Sequence, residues 1–191
     1  MLIAECGTLL VRELEATRII FSPDTPLAEL AATTCGMARA YAEDGTTFLS
    51  KDDPVNALAA YYYGFGWLHL GFTYGLLAGP QKPACPFDGK YETLPPVQTA
   101  RLDEKVRRYA RLLDTACASV IPAPEPETVA GAFARRVIAI GTGYARGGHV
   151  SLGAGDQEAA LARFSYGHGW VDAGARAGLL ALTGNREIFT V

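Results

Sequence analysis

Two stretches of this chain are versions of one another. Residues 53–78 (DPVNALAAYYYGFGWLHLGFTYGLLA) align without a gap on 156–181 (DQEAALARFSYGHGWVDAGARAGLLA), a shift of 103 positions, and 13 of the 26 pairs are identical. The matches include Tyr63/Tyr166, Gly64/Gly167, Gly66/Gly169, Trp67/Trp170, Gly71/Gly174 and Gly75/Gly178. The same shift holds upstream, where Tyr41-Ala42 meets Tyr144-Ala145 and Gly45 meets Gly148. Pro23-Asp24-Thr25 meets Pro126-Glu127-Thr128, a proline and hydroxyl signal of the kind that opens a helix. Earlier still, Ile3, Cys6, Leu10, Leu14 and Thr17 fall over Val106, Tyr109, Leu113, Cys117 and Val120, both at the 3–4 spacing of one helical face. A repeat of this extent makes each copy one structural unit. The units are expected at 1–79 and 99–191, joined by a Pro/Gly-rich linker at 80–98.

Each copy predicts three helices. The first covers about 2–18, and 99–121 in the second copy. The next runs from about 25 to 49, with Leu27, Leu30, Ala31, Thr34, Ala38, Tyr41, Ala42 and Phe48-Leu49 inward. After a short turn, an Asp cap and Pro54 at the first helical position start the third, expected to run to about 78. Short connections make antiparallel neighbours, so the expected fold is all-α: two tandem three-helix bundle units, six helices in all, packed together.

The third helix keeps four glycines in each copy although each costs about 1 kcal/mol relative to Ala. At 100° per residue Ala57, Tyr61, Gly64, Leu68, Gly71 and Gly75 share a stripe, as do their counterparts. Small residues alternating with large ones let a neighbouring backbone come close. Gly66 and Gly169 fall off this stripe, and the wheel gives them no role. The aromatic pairs Tyr63/Trp67 and Tyr166/Trp170 lie on its flank, where such pairs are ordinarily core.

The copies diverge on one face. The second carries Ser165, His168, Asp172 and Arg176; the first has Tyr62, Phe65, His69 and Thr73, with Phe72 alongside. The second copy's face is expected to be solvated, with Asp172 and Arg176 as a surface ion pair. The functional reading adds His168 one turn earlier, making His168, Asp172 and Arg176 the binding candidates, a base, an acid and a cation on one face. A run of aromatics is unusual on a free surface. Tyr62, Phe65, His69 and Phe72 are therefore expected to be covered by the second copy, by the linker or by another chain, which makes a homodimer possible.

Several chemistries lack their signals. Cys6, Cys35, Cys85 and Cys117 are scattered, with no C-x-x-C and no His pair at ligand spacing, so neither a metal nor a cofactor is expected. Free thiols and the lack of a basic, then apolar, opening suggest a cytoplasmic protein. Residues 57–79 hold no charged side chain and approach the length of a membrane span, but they are rich in Gly and Tyr and have a charged twin later in the chain, so no membrane contact is expected. A net charge of −3, and a basic run of Arg101, Lys105, Arg107, Arg108 and Arg111 broken by acids, give no strong nucleic-acid signal. Nucleotide-loop, nucleophile-elbow and H-E-x-x-H patterns do not occur.

The motif Tyr41, Asp44, Phe48-Leu49, Asp52-Asp53, Ala57-Leu58, Tyr63, Gly66-Trp67-Leu68, Gly71 and Gly75 resembles the archaeal domain-of-unknown-function family 357. It recurs at Tyr144, Asp156, Ala160-Leu161, Tyr166, Gly169-Trp170-Val171-Asp172, Gly174, Arg176 and Gly178. The resemblance implies a three-helix bundle per copy and no particular activity. A looser similarity is to the helical HEPN domains, nucleotide- or RNA-processing bundles marked by Arg-x₄₋₆-His, matched here by Arg163 and His168 as Arg-x₄-His. It would make Arg163 and His168 catalytic, although five residues along a helix set them about 140° apart. The leading expectation is a non-catalytic scaffold or binding protein, the alternative a HEPN-like enzyme.

Overall fold

The computed structural model describes residues 2–80, 86–87 and 91–190. Its six long helices are α1 (Ile3–Glu15), α2 (Pro26–Ser50), α3 (Pro54–Tyr74), α4 (Thr99–Ala118), α5 (Val129–Gly153) and α6 (Gln157–Arg176). The fold is the expected one, six helices packed together. The capping chemistry repeats with the sequence. Thr25 and Thr128 accept from the backbone N–H of Ala28 and Gly131, while Asp53 and Asp156 accept from those of Asn56 and Ala159. Each cap satisfies a donor that the first helical turn leaves unpaired.

Both copies also contain a small sheet that periodicity did not predict. Strands β1 (Arg18–Ile19) and β2 (Leu77–Ala78) pair antiparallel, as do β3 (Val120–Pro122) and β4 (Leu180–Leu182). The third helix of each copy therefore ends earlier than expected, at Tyr74 and Arg176. Gly75 and Gly178 then adopt φ of +79° and +70°, with no atom within 4 Å of an added Cβ. They terminate helices by taking a left-handed conformation, which corrects their assignment to the packing stripe. Gly64 and Gly71 do pack closely, against Leu10, Ala38 and Tyr41 and against Thr34 and Leu77.

The two copies meet along α3 and α6, which are buried on nearly every side. That explains their weak amphipathicity, since a helix enclosed all round has no polar face to show. Gly66 and Gly169 lie at the crossing. A Cβ on Gly66 would sit 2.5 Å from the Tyr166 carbonyl oxygen and 2.9 Å from the Gly169 Cα, and one on Gly169 would meet the Tyr63 carbonyl. Here backbone touches backbone, so these glycines join the copies, whereas the stripe packs each copy internally. Around this axis α1 and α2 flank α3, and α4 and α5 flank α6. Arg101 of α4 reaches across to the buried Asp53 carboxylate at 2.5 Å, a second tie between the copies. Cys6, Cys35 and Cys117 are free thiols; Cys85 lies outside the described residues. Among the described residues, no helix is long and apolar enough to cross a membrane.

Candidate functional site

Two polar clusters sit on either side of the glycine crossing, related by the repeat. In each, the tyrosine of one central helix bonds to the residue six positions further along the other central helix's matching face. Tyr63 of α3 donates its hydroxyl hydrogen to Asp172 of α6. Tyr166 of α6 meets His69 Nδ1 of α3 at 2.9 Å. Positions 69 and 172 are equivalents under the shift of 103, so the same pair of positions makes two chemically different contacts. Each tyrosine is backed by a further ring from its own copy, Tyr41 on Tyr63 at 4.4 Å and Tyr144 on Tyr166 at 4.5 Å.

In the first cluster, Asp172 is fully buried. Besides the Tyr63 hydroxyl it accepts from the Thr190 N–H at 2.9 Å and the Thr190 hydroxyl at 2.8 Å. Hydrogen bonds from three donors offset the cost of taking the Asp172 side chain out of water. His168, one turn earlier on α6, donates Nε2–H to the Ile188 carbonyl at 3.1 Å and sets its ring edge-on to Tyr63. Burial lowers the His168 pKa from its ordinary 6.5, opposed by the nearby Asp172 charge. Burial also raises Tyr63, helped by Asp172, and pushes Tyr41 up to about 12. The Trp67 indole N–H and the Ser165 hydroxyl are buried without a hydrogen-bond partner among the described residues.

In the second cluster the His69 ring meets the buried Glu13 carboxylate through Nε2 at 3.1 Å and the Tyr166 hydroxyl through Nδ1 at 2.9 Å. Phe65 and Phe72 pack on the His69 ring. Tyr62, buried among Cys6, Phe65, Phe87 and Tyr91, donates to the Pro86 carbonyl, and burial drives its pKa far up. The aromatic face of the first copy is thus covered by the second copy and by the linker. The cover comes from within the chain, which removes the reason to expect a homodimer there.

The second copy's polar face is a correction of the opposite kind. Ser165, His168 and Asp172 are buried, and Asp172 turns to Tyr63 and Thr190, making no ion pair with the exposed Arg176. The polar residues were conspicuous in sequence, but their partners were not. Thr190 lies 18 residues away in the chain and Tyr63 lies 109 away, and no periodic pattern links such positions. Arg163 and His168 do not converge either. Arg163 bonds the Ser151 hydroxyl and the Ala159 carbonyl and lies over the Phe87 ring, while His168 faces Ile188. His149 makes a surface pair with Asp114 at 3.0 Å. Among the described residues, no three His, Cys, Asp or Glu side chains converge as metal ligands would.

Comparison with known proteins matches the family model described as a protein of unknown function (DUF357) at residues 8–77 and again at 108–180. One segment falls within each copy. No curated protein and no solved structure matches the chain.

Proposed function

The chain belongs to the DUF357 family, and within it we propose a non-catalytic scaffold or binding protein. The carrying observation is an open apolar cleft at the turn leading into the second helix of the first copy. The second copy's turn also exposes apolar side chains, Ile121 and Val129, but is lined differently. In the first copy this turn frames an open cleft of about 680 Å³, lined by apolar Ile19, Phe21, Pro23 and Ala32, with Asp24 and Glu29 also contributing. Nearby Ile20 and Leu27 are 62% and 47% exposed, and clustered exposed aliphatic side chains mark contact surfaces. In the second copy the equivalents of Ile19, Phe21 and Ala32 are Pro122, Pro124 and Arg135. Arg135 binds the Pro126 carbonyl at 2.9 Å, placing a charged side chain at the corresponding turn.

Affinity capture with wild type and with Ile20→Glu and Leu27→Glu tests the reading. A protein retained by wild type and released by both variants, with circular dichroism unchanged, is the expected result. A retained set indifferent to both substitutions counts against it. Incubation with nucleotides and short RNAs covers the enzymatic alternative: turnover that disappears in His168→Ala would overturn the non-catalytic reading.

A further inference from the structure

The segment that seals Asp172 and His168 is bound as a peptide ligand would be. After β4, Asn185 takes a left-handed conformation, and a single 3-10 turn, Arg186–Ile188, leads into extended backbone at Phe189. The segment then crosses the α6 surface by main-chain contacts at alternate residues. The Ile188 carbonyl accepts from His168, and the Thr190 N–H donates to Asp172 Oδ1. Between them Phe189 is buried beside the His168 ring. The Thr190 hydroxyl adds a side-chain contact to Asp172 Oδ2. A carbonyl at one residue, an aromatic anchor at the next, and an N–H with a hydroxyl at the third form a recognition pattern for an extended strand. Main-chain bonds hold the segment, and pockets select its side chains.

The described part of the equivalent stretch in the first copy makes other contacts. Phe87 is the equivalent of Thr190 under the shift of 103, and it packs on Tyr144 and Tyr166 beside the second polar cluster. Its neighbour Pro86 supplies the carbonyl that Tyr62 binds. Phe87 of the first copy thus lies on the other copy's tyrosines, whereas 188–190 of the second meets His168 and Asp172 of its own copy, Asp172 being bonded in turn to Tyr63. In the second copy the segment is thinly held: Arg186, Glu187 and Thr190 are exposed, and Phe189 is the one buried anchor. A segment held by so few buried contacts belongs to the least stable part of a structure.

We infer that the groove formed by His168, Asp172 and Tyr63 is a peptide-binding site, occupied in cis by 188–190 and open to a competing segment of a partner protein with the pattern apolar, aromatic, Ser or Thr. This inference does not depend on the cleft near Ile20. The buried Asp172 selects the hydroxyl and N–H donors, His168 fixes the carbonyl, and the Phe189 pocket selects the aromatic residue. Release of the chain's own segment uncovers all three together.

The probe is a fluorescein-labelled, C-terminally amidated peptide of sequence Asn-Arg-Glu-Ile-Phe-Thr, followed by anisotropy against the full chain. Wild type is expected to bind it weakly, and Phe189→Ala/Thr190→Ala to bind at least about tenfold more tightly because the cis segment no longer competes. Adding Asp172→Asn should reverse that gain, and a peptide with Val in place of Thr should lose a similar factor. Thr190→Ala alone changes an exposed position and serves if the double variant fails to fold. Equal affinity for wild type and the loosened variants, or affinity unmoved by Asp172→Asn, overturns the proposal. Light scattering that finds the loosened variants dimeric without peptide uptake also overturns it, because a second copy would then fill the groove.

Discussion

Adding one methyl group at Gly66 tests whether the two copies are joined backbone to backbone. The Cβ of Gly66→Ala would stand 2.5 Å from the Tyr166 carbonyl oxygen and 2.9 Å from the Gly169 Cα. Non-bonded heavy atoms settle at about 3.5–4.0 Å, so α3 and α6 must part by roughly 1 Å. Neither obstacle is a flexible side chain that could swing aside. Separation would loosen the Tyr63–Asp172 and His69–Tyr166 contacts, which both cross this axis. Overpacking of this kind costs about 1–3 kcal/mol, partly offset by the roughly 1 kcal/mol by which Ala exceeds Gly in helix propensity. A net loss of up to about 2 kcal/mol lowers Tm by up to roughly 8 °C in a chain of this length. Gly36→Ala and Gly143→Ala are the controls. Both positions are exposed within helices, with nothing within 4 Å of an added Cβ, so stability should rise by up to about 1 kcal/mol. Thermal unfolding followed by circular dichroism compares the three. If Gly66→Ala matches its controls, the close-contact argument is wrong.

Gly75→Ala and Gly178→Ala should each cost about 1 kcal/mol in urea unfolding, from left-handed backbone alone, because the space around both is open. Burial lowers the His168 pKa below its unfolded value of 6.5. The unfolded chain therefore takes up a proton that the folded chain resists, so His168 stability is full above about 6.5 and lost as pH falls from there through the folded pKa. A Tm series from about pH 8 to pH 5 should fall less steeply in His168→Phe, which installs the residue found at position 65; identical slopes would remove His168 as the cause. Burial raises the thiol of Cys6 and pushes that of Cys117 up to about 11. Both should therefore alkylate far more slowly than a free cysteine in iodoacetamide labelling read by mass spectrometry, and rapid modification of the native protein would contradict their placement.

The sequence carried the architecture because the architecture is periodic and doubled. Helical spacing, paired Thr and Asp caps and the 103-residue shift lie in local or regularly recurring positions, and all three are present in the structure. The aromatic run around Tyr62 and Phe65 also announced that it would be covered. Tertiary structure alone decided what covered it, and it placed Gly66 and Gly169 at the crossing although a wheel for a single helix left them without a neighbour. It likewise turned the polar face of His168 and Asp172 inward. Residue type told that these groups need partners, but burial depends on which segments the chain brings over them. Here those were Tyr63 from the other copy and a short extended segment ending at Thr190. The small sheets escaped for a related reason: two or three residues are too few to show a period, and their pairing exists only once α3 and α6 have ended at a left-handed glycine.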